Sequence, residues 1–350
     1  MSVRYRCGDL IDFAATLFAA AGMPADRSRV VAELLVEADL MGHDTHGLNL
    51  ASGYLAALAD GSMAADGDPD VVNDRGATLV WDGRYLSGVW LVWQAMQTAF
   101  DRVDQYGTVT VAIRRSHHIA CLAAFLPLAT DRRLMAILSC SDPANDGVAP
   151  FGSFQPVYTP DPIAVGYPTT GDPVLIDISA STTTLGMAHR LKAAGERFPG
   201  KWLVDNEGRA SDDPNVLGDD PRGAIMPLGG LDRGHKGFGL GLMVEALTSG
   251  LAGHGRKDGV TNWGASVFLQ IIDPTAFGGA DAFTAETGWL ADACRQAAVP
   301  TGKPPVRLPG DGALARKRAA LQDGVELFPT IMPALQPWAE KSGAQLPGPI

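Results

Sequence analysis

Four consecutive residues, His43-Asp44-Thr45-His46, set two imidazoles, a carboxylate and a hydroxyl side by side between Gly42 and Gly47. Core packing needs nothing so polar. Proton transfer does, because an imidazole titrates near neutrality. A second cluster, Arg114-Arg115-Ser116-His117-His118, follows a β-branched run, and a third, Gly234-His235-Lys236-Gly237, opens a helical pattern. The three hold five of the seven histidines and are expected to converge on one active site.

Several chemistries fail on spacing. His43 and His46 lie at i and i+3 with no third ligand at a recognisable distance in sequence, so no metal is assigned. Ser116 lacks the Gly-x-Ser-x-Gly of a nucleophile elbow. Gly237-Phe238-Gly239-Leu240-Gly241 is misspaced for a Gly-x-Gly-x-x-Gly dinucleotide fingerprint and falls inside a helix, where glycines serve close packing. Around Gly229 to Lys236, His235 and Gly237 stand where a phosphate loop needs Lys and Ser or Thr, so an NTPase is rejected. What remains is a histidine after a strand, His118, with the small residues Ala120 and Cys121 starting a helix beside it. Backbone N–H groups there can approach a phosphate, and Lys236 at the beginning of another helix adds positive charge. A phosphate-bearing cofactor next to a proton-transfer residue suits hydride transfer.

The elements that must position these groups are legible as periodicities. Leu10, Phe13, Ala14, Leu17 and Phe18 predict a helix stopped by Gly22. Asp26 is placed as the cap of a second, with Val30, Val31, Leu34, Leu35 and Ala38 inward, ending at Gly42. Thr45 is expected to cap a third, carrying Leu48, Tyr54, Leu55 and Leu58 and ending at Gly61. Residues 60–74 read as a linker. Strands are expected at 78–81, 108–113, 134–140, 162–168, 174–178 and 266–272, and helices at 90–103, 279–297, 312–322 and 329–341. Residues 199–227 read as loosely structured. Residues 236–251 predict a strong helix with Phe238, Leu242, Met243, Leu247 and Leu251 inward.

Composition sets the outer limits. At 350 residues, with 46% hydrophobic and 19% charged, the chain reads as an ordinary globular protein of two or three compact units. Its net charge of -11 argues against nucleic acid as a partner. Cys7, Cys121, Cys140 and Cys294 are too scattered for a zinc site or a disulfide frame. No secretion signal opens the chain, and no run approaches the ~18 apolar residues of a membrane span. A cytoplasmic location with no membrane partner is expected.

These clusters, in this order, resemble the type-2 malate/L-lactate dehydrogenase family of NAD(P)-dependent oxidoreductases. The family's Ala-Asp-x-x-Gly-x-x-Ser-His-Gly resembles Ala38-Asp39 to Thr45-His46-Gly47, and its Asn-Ser-x-His-Phe-Gly resembles Arg115-Ser116-His117-His118-Ile119-Ala120. Its Asp-Met-Ala-Thr-Ser resembles Asp177-Ile178-Ser179-Ala180-Ser181, and its Gly-Trp-x-x-Asp resembles Lys201-Trp202-Leu203-Val204-Asp205. Pro227-Leu228-Gly229-Gly230 with His235-Lys236-Gly237-Phe238-Gly239-Leu240 is the closest match, and Val306 to Gly310 also agrees.

The resemblance implies a mixed α+β fold that is not a Rossmann fold. A helical part from both chain ends, residues 1–75 with 312–350, would accompany a central cofactor-binding α/β part, 76–311, with a largely antiparallel sheet. It also implies a homodimer binding NAD or NADP. His118 takes the place of the acid/base residue, with Thr45 and His46 in the same pocket. Ala120, Cys121, Leu122, Asp177, Ile178, Ser179, Ser181, His235 and Lys236 are the expected cofactor contacts, and His46, Leu50, Tyr54 and Arg115 the substrate pocket. The bond reduced is a carbonyl of a 2-oxo acid or, alternatively, an imine C=N. A binding protein that keeps the fold without turnover is the reading from another class. Five places depart from the family pattern: Leu50 stands for a carboxylate-binding arginine, Arg115 for Asn, Ala120 for Gly, Thr159-Pro160-Asp161-Pro162 for Gly-Thr-Asn-Pro, and Met187 follows Gly186 where Lys or an acid is common. The lost anchor could be relocated to Arg115, Arg190 or Lys192.

Overall fold

The structure, a computed structural model, describes residues 3–350. A two-residue strand β1 (Arg4–Tyr5) leads into α1 (Cys7–Ala20) and α2 (Ala25–Met41), whose apolar stripes pack on each other. Asp26 sits in the first turn of α2, behind Pro24, rather than capping it. Gly42 ends α2 in a left-handed conformation, as expected of a helix stop. Thr45 does not cap the next helix: a single 3-10 turn, Leu48–Leu50, runs directly into α3 (Ala51–Asp60).

The expected linker contains a strand. β2 (Asp70–Asp74) is exposed along its whole length and begins and ends on Asp, so no apolar alternation betrays it. It forms the charged edge of a sheet, which discourages pairing with other chains. β3 (Thr78–Asp82), α4 (Gly88–Tyr106) and β4 (Thr108–Ser116) follow, then a 3-10 turn at Leu122–Phe125, α5 (Leu126–Thr130) and β5 (Met135–Ser141). β6 (Ile163–Tyr167) and β7 (Val174–Ile178) complete the middle of the chain.

Two features were not foreseen there. α6 (Leu185–Ala194) is capped by Thr184, whose hydroxyl accepts the Met187 N–H. The stretch read as loose holds β8 (Leu203–Val204), β9 (Ala210–Ser211) and β10 (Ala224–Ile225). These form a small sheet over a satellite core of Val148, Tyr158, Ala188, Phe198, Leu203 and Ile225.

α7 (Gly230–Glu245) starts six residues before Lys236 and passes into a π turn at Ala246–Gly250. Leu242, Met243 and Leu251, expected inward, are exposed. The buried stripe is instead Gly234, Gly237, Gly241, Val244 and Thr248. Side chains at Gly237 and Gly241 would overlap the Leu228 backbone and the Tyr158 ring. The helix thus packs by its backbone and turns its large side chains outward. β11 (Ala265–Ile272), α8 (Ala280–Arg295), α9 (Asp311–Asp323), β12 (Val325–Glu326) and α10 (Ile331–Ser342) close the chain.

The seven-stranded sheet has the order β2-β3-β4-β11-β5-β6-β7. Only β3 and β4 pair in parallel; every other neighbour is antiparallel. β1 pairs with β12, α2 packs on α9, and α1 touches α10, so both chain ends share one helical layer. One apolar core runs from α1 through the sheet to α10. Among the described residues, no helix is long and apolar enough to cross a membrane.

Candidate active site

The loop after α2 is built on Asp39. Its Oδ2 accepts the Leu48 N–H at 2.8 Å, and any side chain at Gly47 would overlap its carboxylate. Burial pushes the Asp39 carboxyl up to about 8, and Oδ1 has no partner. Residues 42–48 are thereby folded back over α2, while Arg316 from α9 caps the helix end by donating to the Met41 carbonyl at 2.9 Å. On this loop Thr45 Oγ1 lies 2.8 Å from His46 Nδ1, which fixes the ring of His46.

His118 leaves the end of β4 toward the same loop. Gly88 allows this, because a Cβ there would strike the carbonyls of His117 and His118. The Tyr54 hydroxyl of α3 lies 2.8 Å from His118 Nδ1 and 3.2 Å from the His118 carbonyl oxygen, and the Ala120 N–H points at Nδ1 from 3.2 Å. The His46 and His118 ring centroids are 6.0 Å apart. Each ring is tied at Nδ1, and neither Nε2 is hydrogen-bonded or buried among the described residues. The two imidazoles therefore stand close together, each with an Nε2 that has no hydrogen-bond partner among the described residues. Burial, followed by the neighbouring imidazoles, lowers His118 to about 3. Burial, then His43, lowers His46 to about 4. Both rest as neutral bases.

Two further rings complete the wall. His117 is fully buried, its two nitrogens unpartnered, edge-on to Tyr54 and to Trp263. Trp263 also lies 5.0 Å from the His118 ring. Sequence reasoning missed Trp263. Its signal was an aromatic in a turn-rich loop, Asp258 to Gly264, directly before β11, and such loops commonly carry function.

On the other side of His118 the chain turns through Ala120, in a left-handed conformation at φ 58°, into Cys121 and Leu122. Asp177 of β7 holds the following turn by accepting the Ala123 N–H at 2.9 Å, and burial raises its carboxyl to about 6. The N–H groups of Cys121 and Leu122 find no acceptor among the described residues, although both residues are almost fully buried. Buried backbone donors are nearly always paired, so an anionic group of a bound cofactor fits this turn. Ser179 and Ser181 continue from Asp177. Ser181 donates to the Thr183 carbonyl at 2.6 Å, and the Leu228 N–H bonds to the Ala180 carbonyl at 2.8 Å, which brings the approach to α7 alongside. Ile178 is exposed at the same edge.

The remaining expected residues lie elsewhere. His235 and Lys236 sit on the exposed face of α7, His235 edge-on to Phe151. Leu50 is half-buried against the main core. Arg115 is committed: with Arg114 it grips buried Asp82 at 2.7–2.9 Å. Burial tends to raise the Asp82 carboxyl, and these guanidinium bonds outweigh it, leaving it below its ordinary value. Arg190 of α6 reaches Asp44, 3.2 Å away, and stacks over Phe328. No cluster of His, Cys, Asp or Glu among the described residues could hold a metal ion.

Comparison with known proteins gives this geometry a context. Residues 6–336 match the malate/L-lactate dehydrogenase family. The chain is 30% identical over 342 residues to an L-lactate dehydrogenase of Cupriavidus necator, covering 95% of each chain. It is 33% identical over 235 residues to a (2R)-3-sulfolactate dehydrogenase (NADP(+)) of Chromohalobacter salexigens, covering 67% of this chain and 68% of that one. The solved delta1-piperideine-2-carboxylate reductase of Pseudomonas syringae pvar. tomato superposes with a TM-score of 0.83 at 26% identity, over 96% of this chain and 99% of that one.

Proposed function

The chain belongs to the malate/L-lactate dehydrogenase family of oxidoreductases, and on that premise we propose that it moves a hydride between NAD or NADP and a 2-oxo/2-hydroxy acid or a related small molecule, with His118 as the acid/base. The observation that carries this reading is the pair of imidazoles, His46 and His118, tied at Nδ1 with Nε2 open.

The cofactor, when bound, supplies or accepts the hydride. Ala120, Cys121 and Leu122 would hold it by their backbone, Asp177 to Ser181 would flank it, and His235 and Lys236 would meet it from α7. His118, resting neutral, takes the hydroxyl proton of a 2-hydroxy acid onto Nε2 and returns it in the reverse direction. Thr45 and His46 would line the other side of the substrate, with Tyr54 beneath. With Leu50 in place of an arginine and Arg115 spent on Asp82, Arg190 would have to exchange its pairing with Asp44 for a substrate carboxylate to serve as the anchor.

A second reading, reduction of a cyclic imine, draws on the likeness to the piperideine-2-carboxylate reductase, since a C=N bond accepts hydride and proton at the same two positions. We also read the chain as a homodimer, because Leu231, Leu242, Met243 and Leu251 expose an apolar face on α7 and the turn after it.

Fluorescence titration with NADH and NADPH, then a panel of 2-oxo acids and cyclic imines with each, tests the assignment. Binding of at least one cofactor and turnover of one substrate class are expected. Failure to bind either cofactor at millimolar concentration overturns the oxidoreductase reading and leaves a binding protein that keeps the fold.

A further inference from the structure

A general base can use His118 Nε2 only if the proton of the neutral ring sits on Nδ1. An imidazole carries that proton on either nitrogen, and the partner of the second nitrogen decides which. Two groups face His118 Nδ1. The Ala120 N–H can only donate, and at 3.2 Å it favours a bare Nδ1 with the proton on Nε2, which is the wrong tautomer for a base. The Tyr54 hydroxyl, closer at 2.8 Å, can accept as well as donate. It is also 3.2 Å from the His118 carbonyl oxygen, which can only accept. The closer contact decides: Nδ1–H donates to Tyr54 Oη at 2.8 Å and Tyr54 O–H donates to the His118 carbonyl, which satisfies these three atoms and leaves the Ala120 N–H, at 3.2 Å, without an acceptor.

We propose that Tyr54 is a positioning residue that holds His118 in the Nδ1–H tautomer, so that Nε2 is the nitrogen that exchanges a proton with substrate. The inference rests on the acid/base role given to His118 above. In oxidation the substrate O–H proton passes to Nε2 while the C–H hydride leaves with its electron pair to the nicotinamide cofactor. The ring becomes an imidazolium whose Nδ1–H keeps the same acceptor. In reduction the Nε2 proton goes to the substrate oxygen or nitrogen, and the ring returns to the Nδ1–H form. Neither direction requires the Tyr54 hydroxyl to turn. Its own proton is secure, because Tyr54 is only 1% exposed and burial pushes its ionisation well above the ordinary phenol value.

The groups that face His118 define what a pH measurement reads. They are His46 from the 42–48 loop, His117 beside it on the end of β4, Tyr54 from α3 and Trp263 from the loop before β11. Asp44 acts on His46, Asp60 on His117 and Cys140 on Tyr54. Tyr54 is the one of these with an oxygen on Nδ1. Removing that oxygen disfavours the imidazolium, so the ring's titration must move to lower pH.

Two measurements test this. Two-bond 1H–15N spectra of histidine-labelled protein, assigned with His118→Asn, read the tautomer without any substrate. The Nδ1–H form is expected in the native protein and the Nε2–H form in Tyr54→Phe, which keeps the ring volume. In kinetics Tyr54→Phe should lower kcat by about two orders of magnitude, within the range of a lost acid/base function. Its KM and NAD(P)H affinity should stay within about threefold, and the pH above which reduction falls away should shift downward. An Nε2–H tautomer in the native protein, or native kcat in Tyr54→Phe, overturns the proposal. If Tyr54→Phe fails to fold, the native spectrum alone decides. If the native protein binds no nicotinamide cofactor and turns over no 2-oxo acid or imine, the function proposed above fails, while the spectra still decide the tautomer.

Discussion

The histidines at the end of β4 and the histidine on α7 come from equally polar clusters, yet the fold treats them in opposite ways. His117 and His118 are packed among Tyr54, His46 and Trp263, with Gly88 cut away to admit their backbone. His235 and Lys236 stand exposed on a helix whose glycines face inward. In the first cluster Gly88 makes room for the backbone of the packed histidines. In the second the glycines bring backbones together, and the charged residues are what is left outside. The same composition can be drawn in among aromatic rings or left on a helix surface, and burial of the partners tells the two apart.

That contrast can be broken at its strongest point first. His118→Asn should reduce turnover by about two to four orders of magnitude while NAD(P)H affinity holds, as expected of a lost acid/base group; stopped-flow rates near the native value would erase the distinction. A medium effect is expected one layer back, at Asp39. Asp39→Ala leaves the Leu48 N–H without its acceptor and should cost about 1–3 kcal/mol in chemical denaturation.

Asp39→Asn keeps an acceptor and changes the pH response instead. A carboxyl near 8 in the fold and about 3.9 unfolded binds more protons when folded. Its contribution is therefore full below about pH 4 and is lost as pH rises toward 8. The Asn variant should flatten that decline, and denaturation midpoints measured from pH 5 to 8 with an unaltered slope would contradict it. The smallest effect belongs to α7: His235→Ala should leave kcat unchanged and weaken cofactor binding by no more than about threefold. A hundredfold loss there would make the two clusters equals.

Much of this arrangement was legible in the sequence. The helices that stop at Gly22, Gly42 and Gly61 do so at positive φ, as their spacing predicts. The β-branched run at 108–113 is the start of β4. The rest depended on contacts that no local pattern carries. Tyr54 and His118 are 64 residues apart in the chain, and Trp263 lies farther still. On α7 the helical period was right and the face was wrong, because hydrophobicity ranks leucine above glycine while close approach of backbones rewards the reverse. β2 escaped because an exposed charged edge has no inward side to alternate with.

The departures from the family pattern acquire a physical meaning together. Arg115, Ala120 and Asp161 replace Asn, Gly and Asn, and all three hold positive φ, at 50°, 58° and 46°. Gly and Asn adopt that conformation readily; arginine and alanine pay a steric penalty for it. At Arg115 the turn is held from outside by the ion pair with Asp82 and by the Tyr85 N–H on the Arg115 carbonyl at 2.6 Å. These three positions thus hold a backbone conformation better suited to the family's residues than to their own.

The pairing of β1 with β12, with the Ile350 N–H bonded to the Arg4 carbonyl at 2.9 Å, also bears on the order of assembly. During synthesis the N-terminal helices emerge first, but the strand ahead of them has no partner until residues 325–326 have left the ribosome. Arg316, which caps the helix before the Thr45–His46 loop, arrives almost as late. The sheet that carries His118 can form while translation continues, whereas the wall opposite it is completed only near the end. Catalytic competence should therefore appear as a late, single event, after most of the chain has already acquired its fold.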